Sequence, residues 1–504
     1  MDYFTLLALI LSFAWTCFHV FMTTGLRGRR KSSPAMLPPG PRPLPIVGNI
    51  FKLGNKPHQA LADLSQTYGP IMTLKLGDIT TIVMSSPYTA KEVLHKHDRA
   101  LSDRAIPAAV HAKDHHINSM VWLPPAAHWK NLRKVSAMHM FTAQRLDASQ
   151  ALRQKKVQEL LDYVLESCSK GQAVNIGQAV FTTSLNLISN TFFSIDLSHY
   201  HSEFSQSFSD ITRGVLEDVG RPNFADYFTI LRVIDPQGCQ KRVKNHFEIL
   251  LHIFDGIINK RTQSSDVSST STTASKDLLD SLLVLAKDRN SEFSLLDLKH
   301  MLLDFFIAGT DTTSNTLEWA MAELLRNPEK LAKAQTELRK VIGRDEIIEE
   351  SNITALPYLR AVVKETFRFH PPVPFLLPRK ANSDVEICGF NVPKSAQILV
   401  NIWAMGRDPN VWENPSSFIP ERFLEVDVDI KGRDFELLPF GGGRRICPGM
   451  PLAVRMLHLT LASLLHAFDW KLADGLKPEK LDMSEKYGIT LQKALPLLTV
   501  PIQV

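Results

Sequence analysis

The segment Phe440-Gly441-Gly442-Gly443-Arg444-Arg445-Ile446-Cys447-Pro448-Gly449 constrains the fold more than any other stretch of this chain. Glycines at 441, 442, 443 and 449 remove Cβ atoms and permit positive φ, so the backbone here can be approached closely. The apolar run Leu452 to Phe468 follows at once. The Cys447 thiol therefore sits near a helix N-terminus, whose unpaired N–H groups favour a thiolate. The positions Phe440, Gly443, Arg445, Cys447 and Gly449 would coincide by chance, in a chain of this length, on the order of one time in ten thousand. The plain alternative is a glycine-rich turn around a buried structural cysteine. Only five cysteines occur, with no C-x-x-C pair, so neither a disulfide framework nor a thiolate zinc site is indicated. The bulk of the chain fits a reducing compartment.

At 504 residues, length alone suggests about three domains. No interior stretch rich in Pro and Gly separates units, no repeat is visible, and the strongest motifs run from Trp129 to Gly449, so residues 46–504 read as one catalytic domain. The pattern is mainly α with small β-sheets. Ile71–Leu76 and Thr80–Met84 flank Gly77-Asp78 as a hairpin, and Val385–Cys388 with Gln397–Asn401 suggests a second short sheet. Ser264–Ser275 is almost wholly Ser and Thr and reads as a surface loop.

Residues 1–24 have a different character. Tyr3–Met22 carries no formal charge except on a protonated His19, is long enough to cross a bilayer, and is followed by Arg27, Arg29, Arg30 and Lys31. A cleaved signal would carry its basic residues before the apolar core, so an uncleaved single-pass anchor with a cytosolic catalytic domain is expected. Residues 25–45 form a basic, proline-rich hinge that cannot continue a helix. The net charge of +5, with no basic stripe interleaved with aromatics, argues against nucleic-acid binding.

Three further motifs carry chemistry. Ser294 to Asn327 reads as one long helix with capping-box spacing from Ser294 to Asp297, and Ala308-Gly309-Thr310-Asp311-Thr312-Thr313 lies in its middle. Met301, Phe305, Ala308 and Thr312 share a face. A helix bent by Gly309 and threonine back-bonding is the alternative without chemistry. Glu365 and Arg368, three apart on a helix, can pair, and Arg422 in Pro420-Glu421-Arg422-Phe423 lies about 25 residues before Cys447 by direct count. Trp129 and Arg133 are one helical turn apart, and Arg379 follows the turn-rich Pro371–Pro378.

Together these motifs resemble the haem-thiolate monooxygenases of the cytochrome P450 superfamily, plant microsomal type, over nearly the whole chain. The resemblance implies the cytochrome P450 fold, haem b with Cys447 as axial ligand of the iron, and cofactor contacts from Trp129, Arg133, Ala308, Arg379, Phe440 and Arg445. It implies that Asp311 and Thr312 relay protons, and that Glu365, Arg368 and Arg422 form a structural charge network. NADPH serves indirectly, through NADPH-cytochrome P450 reductase, and the endoplasmic reticulum membrane is the implied location.

More locally, Val373–Lys380, Arg433–Phe440 and Glu485–Lys493 look like plant terpenoid hydroxylases, specifically geraniol hydroxylases, with abietane-diterpene oxidases next. Phe367 stands where Leu is more usual. The implied substrate pocket comprises Ile117, Met120, Met301, Phe305, Val373, Phe375, Leu376 and Ile489, mostly apolar and suited to a terpene skeleton held by shape. The competing functions are an oxygen-independent haem-thiolate isomerase or dehydratase and a non-enzymatic haem sensor, both disfavoured by the intact Asp311-Thr312 pair. Lys130, Arg133, Lys134, Arg444 and Arg445 form a basic set, part of which the resemblance implies docks an acidic redox partner. Charge reversal at Lys130 or Lys134 is expected to lower turnover and its salt sensitivity; unchanged affinity for the reductase, measured across ionic strength, would remove that docking surface.

Overall fold

The computed structural model describes residue 12 and residues 36–267, 277–343 and 346–503. The expected anchor, the start of the hinge and most of the Ser/Thr segment lie outside the described residues. The long helix spans Leu295–Arg326, with Ser294 as its N-cap and a reciprocal capping box to Asp297. It ends at Asn327 because Pro328 follows and opens the next helix.

This helix holds the fold together by belonging to two cores. Its first half, Leu298 to Ile307, packs with Ile176–Phe193 and Cys239–Val267 in one apolar cluster. Its last turns, Leu317 to Leu325, pack with the helices Pro357–Phe369 and Met450–Ala467 in another. Between the two lies the small-residue turn at Ala308 and Gly309, where a Cβ on Gly309 would meet Ile188 Cδ1 at 2.8 Å. Met450–Ala467 is, among the described residues, the one helix apolar and long enough to cross a membrane. Its Met456–Leu465 stretch is buried in the second core, which accounts for its composition.

The hairpin forms with Ile71–Leu76 against Ile79–Met84. The second sheet differs from expectation. Gln397–Val400 does not pair with Val385–Ile387; it lies parallel to Ile79–Met84 and extends the hairpin's sheet, which continues through Arg379–Lys380 to Asp103–Arg104. Val385–Ile387 instead folds back on Phe390–Val392 through Cys388 and Gly389, both at positive φ. A tight local turn supplied the nearer partner, and the apolar Ile398, Leu399 and Val400 found a larger sheet to bury against.

Glu365 and Arg368 are almost fully buried and make a bidentate pair, both contacts at 2.7 Å. Arg422 Nε lies 3.2 Å from the same carboxylate, and the Ile419 N–H donates to it at 2.6 Å. Arg368 also donates to the carbonyls of Gly406, Pro415 and Ser417. The network thus ties the helix Pro357–Phe369 to the irregular chain that leads into the cysteine loop. Replacing Arg368 by Ala removes the bidentate partner of a buried carboxylate and the donor to three carbonyls, and is expected to destabilise the fold by about 3 to 5 kcal/mol. Denaturant unfolding checks this: a loss under about 1 kcal/mol would show the network to be dispensable.

Candidate functional site

The cysteine loop is held from two sides. The Cys447 N–H donates to Phe440 O at 3.0 Å, closing the loop on itself. Gly443, at φ +66°, packs so closely that a Cβ there would stand 2.2 Å from Leu94 O and 2.7 Å from Asp98 Oδ1. Asp98 accepts from Arg379 Nη1 at 2.8 Å and from the Arg444 N–H at 3.0 Å. Two residues after Cys447, Gly449 caps the helix Met450–Ala467. Deep burial pushes the Cys447 thiol up, while the N–H groups of Gly449 and Met450 and the charge of Arg133 favour its anion.

Above Cys447 opens a cavity of about 350 Å³, bounded opposite by Ala308, Gly309 and Thr312 of the long helix. Ala308 is exposed to this space although the helix around it is buried. The Thr312 hydroxyl donates to Ala308 O at 2.7 Å, and Thr312 itself lines the cavity. Asp311 does not. It is buried on the flank of the helix, accepting from the Thr490 hydroxyl at 2.9 Å and the Gln492 amide at 3.0 Å, with Arg213 Nε 3.8 Å away. Burial raises its pKa against those three groups. Thr490 lines the cavity, so Asp311 meets that space through Thr490.

Of the expected pocket, Met120, Phe305, Val373, Leu376 and Ile489 line the cavity. Leu376 does so from a left-handed backbone at φ +53°, a strained conformation for a branched side chain. Three residues do not belong to it. Ile117 is 55% exposed on the outer surface, Met301 is buried in the core near Ser136, and Phe375 packs against Tyr487 under the hairpin's sheet. Met301 fails because it lies two turns before Ala308, where its side chain packs against Ser136 in the core, so sharing a face with Ala308 no longer means facing the cavity.

The expected cofactor residues Trp129, Arg133, Ala308, Arg379, Phe440, Arg445 and Cys447 are brought together around this cavity. Trp129 donates to Met120 O at 3.0 Å and lies beneath the guanidinium of Arg445, 4.8 Å from its ring centroid. Arg133 Nη1 donates to Ile446 O at 3.0 Å. Arg104 joins them, a residue the sequence does not single out: it lines the cavity, bonds the carbonyls of Val121 and Leu377, and stands directly opposite Arg379 in the antiparallel pairing of their strands. Burial and mutual repulsion hold the Arg104 guanidinium well below the usual range and push Arg445 down to about 10. Nη1 of Arg445 is buried without a hydrogen-bond partner.

Four guanidinium groups at one rim, with Asp98 turned to Arg379 and Arg444, are suited to a buried dianion. An unpartnered arginine nitrogen, a thiol at a helix N-terminus and a small-residue gap facing it fit haem, with its two propionates at the arginines. Lys130 and Lys134 are exposed on the outer face of the helix Ala127–Ser136, whereas Arg133 and Arg445 of the basic set turn inward.

These features define the class of haem proteins with a cysteine ligand. The chain belongs to the cytochrome P450 family, whose profile matches residues 38–500. It is 55% identical to cytochrome P450 76T24 of Catharanthus roseus, with each chain covered in full. It is 53% identical to cytochrome P450 76AD1 of Beta vulgaris, over 100% of this chain and 99% of that one, and 51% identical to geraniol 8-hydroxylase of Catharanthus roseus, over 99% of both. It is accordingly a monooxygenase with a haem iron cofactor that receives electrons through a reductase.

Because a Cβ at Gly443 would press on backbone and on a fixed carboxylate, Gly443→Ala is expected to disorder the loop. Purified protein should then hold less than about a tenth of the wild-type haem, read as a haem-to-protein absorbance ratio. Full haem content in that variant would show that the loop does not require this close approach.

Proposed function

We propose that this chain is anchored by residues 1–24 in the endoplasmic reticulum membrane, and that its single haem-binding catalytic domain, residues 46–504, hydroxylates or oxidises a small apolar terpenoid with O2 and NADPH-derived electrons. The observation that carries the reading is the cavity itself: one face presents Cys447, and the rest is walled largely by apolar side chains such as Phe305, Leu376 and Ile489. The likeness to geraniol 8-hydroxylases supports a geraniol-like monoterpene alcohol; an abietane-type diterpene is the second candidate. Exposed Ile46, Phe51, Ile230 and Val233 support membrane contact. Their segments meet at the hairpin turn, where the Gly77 N–H donates to Val47 O and the Asp78 N–H to Tyr227 O.

In this reading Cys447 holds the iron, and Arg104, Arg133, Arg379 and Arg445 hold the propionates. Haem, once bound and reduced, supplies the activation of dioxygen, and a thiolate ligand favours O–O cleavage. The chain's own residues do the rest. Apolar walls exclude water and hold the substrate by shape, so the C–H nearest the reacting centre is the one attacked. The Thr312 hydroxyl, held by Ala308 O, presents an oxygen to the cavity that can pass a proton inward. Asp311, whose carboxyl burial shifts upward and which meets the cavity through Thr490, is the source that refills it.

Incubating the reductase-reconstituted protein with a panel of monoterpene alcohols and abietane diterpenes tests the substrate class. NADPH-dependent hydroxylated product from at least one of them is expected; products from neither group would overturn it. Thr312→Ala is expected to release at least about tenfold more peroxide per product, since the proton path would be broken. Unchanged coupling would remove Thr312 from that path.

A further inference from the structure

One end of the apolar cavity holds a polar cluster that neither the haem contacts nor the proton path uses. Asp304 lies one turn before Ala308 on the long helix and lines the cavity, as does His115 from the segment Ala108–Ile117. The Ser119 hydroxyl lies 2.7 and 2.9 Å from the two oxygens of Asp304, and His115 Nε2 lies 3.2 Å from Oδ1. On its other side His115 Nδ1 meets His300 Nδ1 at 2.9 Å, one nitrogen donating to the other. The imidazole of His300 is held down to about 4 by burial and by His115.

A buried carboxylate in an apolar wall is costly unless it is paired, and a structural role alone would turn it away from the cavity. This one faces inward. An ionised carboxylate has about four lone-pair positions. Ser119 reaches both oxygens and His115 only Oδ1, so Oδ2, with a single contact, retains capacity for another donor. Ser119 and His115 fix the carboxylate's orientation from a second element, the arrangement a specificity group requires.

We propose that Asp304, oriented by Ser119 and His115, is the anchor for a hydroxyl group of the substrate, and that the chain selects terpene alcohols over the corresponding hydrocarbons and ethers. This inference rests on the terpenoid reading and deepens it. Ala308 lies about 6 Å and Thr312 about 12 Å along the helix axis from Asp304. The anchored hydroxyl is therefore held away from the reacting centre, and oxidation falls on carbon several bonds from it. An apolar wall by itself separates such analogues poorly, whereas a fixed acceptor left without a donor rejects the ether and the hydrocarbon.

The test uses the full-length protein with reductase and compares an acyclic monoterpene alcohol with its methyl ether, reading KM, kcat and product position for wild type, Asp304→Asn and Asp304→Leu. The isosteric Asn variant keeps an acceptor for Ser119 but removes the charge, which guards against misfolding. Haem content and the reduced carbon monoxide spectrum report the fold of each variant. For wild type, kcat/KM is expected to favour the alcohol by at least about tenfold, with one dominant product remote from the hydroxyl. Both variants are expected to lose that preference through KM and to scatter the product position. Equal kcat/KM for alcohol and ether in wild type, or an unchanged preference in Asp304→Asn, would overturn the anchor while leaving the terpenoid reading intact. Absence of turnover with every terpenoid in wild type would overturn both.

Discussion

Unbalanced positive charge confined below an apolar cavity is the constraint on which the rest of the structure depends. Arg104 and Arg379 face each other across a two-residue strand pair, and Arg133 and Arg445 complete the group around Trp129. Like charges placed directly opposite in a sheet are unfavourable, and burial enlarges the effect. The fold tolerates this because Asp98 pairs with Arg379 and because backbone carbonyls accept from the remaining guanidiniums; in the proposed reading the propionates would supply the missing charge. The same Asp98 reaches the backbone of Arg444, so the group that partly offsets the arginines also fixes the cysteine loop. Charge balance and ligand geometry are thus coupled through a single carboxylate.

The cavity exists where two apolar cores meet along one helix. The core around Leu298–Ile307 and the core around Leu317–Leu325 each pack the helix tightly, and the small-residue turn between them is the place where packing is withheld. Glu365 and Arg368 serve the same end from behind, by anchoring the irregular chain from Gly406 to Arg422 that runs on toward the cysteine loop. Selectivity is then left to the side chains that close the far end, among which Asp304 and His115 bring directional chemistry.

Much of this was legible in the sequence, for identifiable reasons. The long helix and its cap could be read because Ser294, Asp297 and Pro328 act locally through backbone geometry. The cysteine loop could be read because glycine, arginine and cysteine at fixed spacing have few other uses. The sheet partner of Gln397–Val400 could not, since strand pairing is set by burial against residues some 300 positions away. The family resemblance implies a pocket that includes Ile117, Met301 and Phe375, but a likeness of segments cannot tell a cavity wall from a core or an outer surface. Arg104 and Asp304 left no local signal. An isolated arginine in a strand and an aspartate in an amphipathic helix look like ordinary solvated charges until tertiary contacts bury them. Thr490 was hidden in the same way, its role visible only once its hydroxyl is seen on Asp311.

The central claim is that Cys447, as a thiolate, is the group around which the arginines and the cavity are arranged. The measurement that tests it most directly is the carbon monoxide difference spectrum of the reduced, full-length protein, compared with that of Cys447→Ser. The account predicts the red-shifted Soret band of a thiolate-ligated haem in the wild type and its complete loss in the variant. A wild-type spectrum of the histidine-ligated type, or a thiolate band that survives in Cys447→Ser, would contradict it.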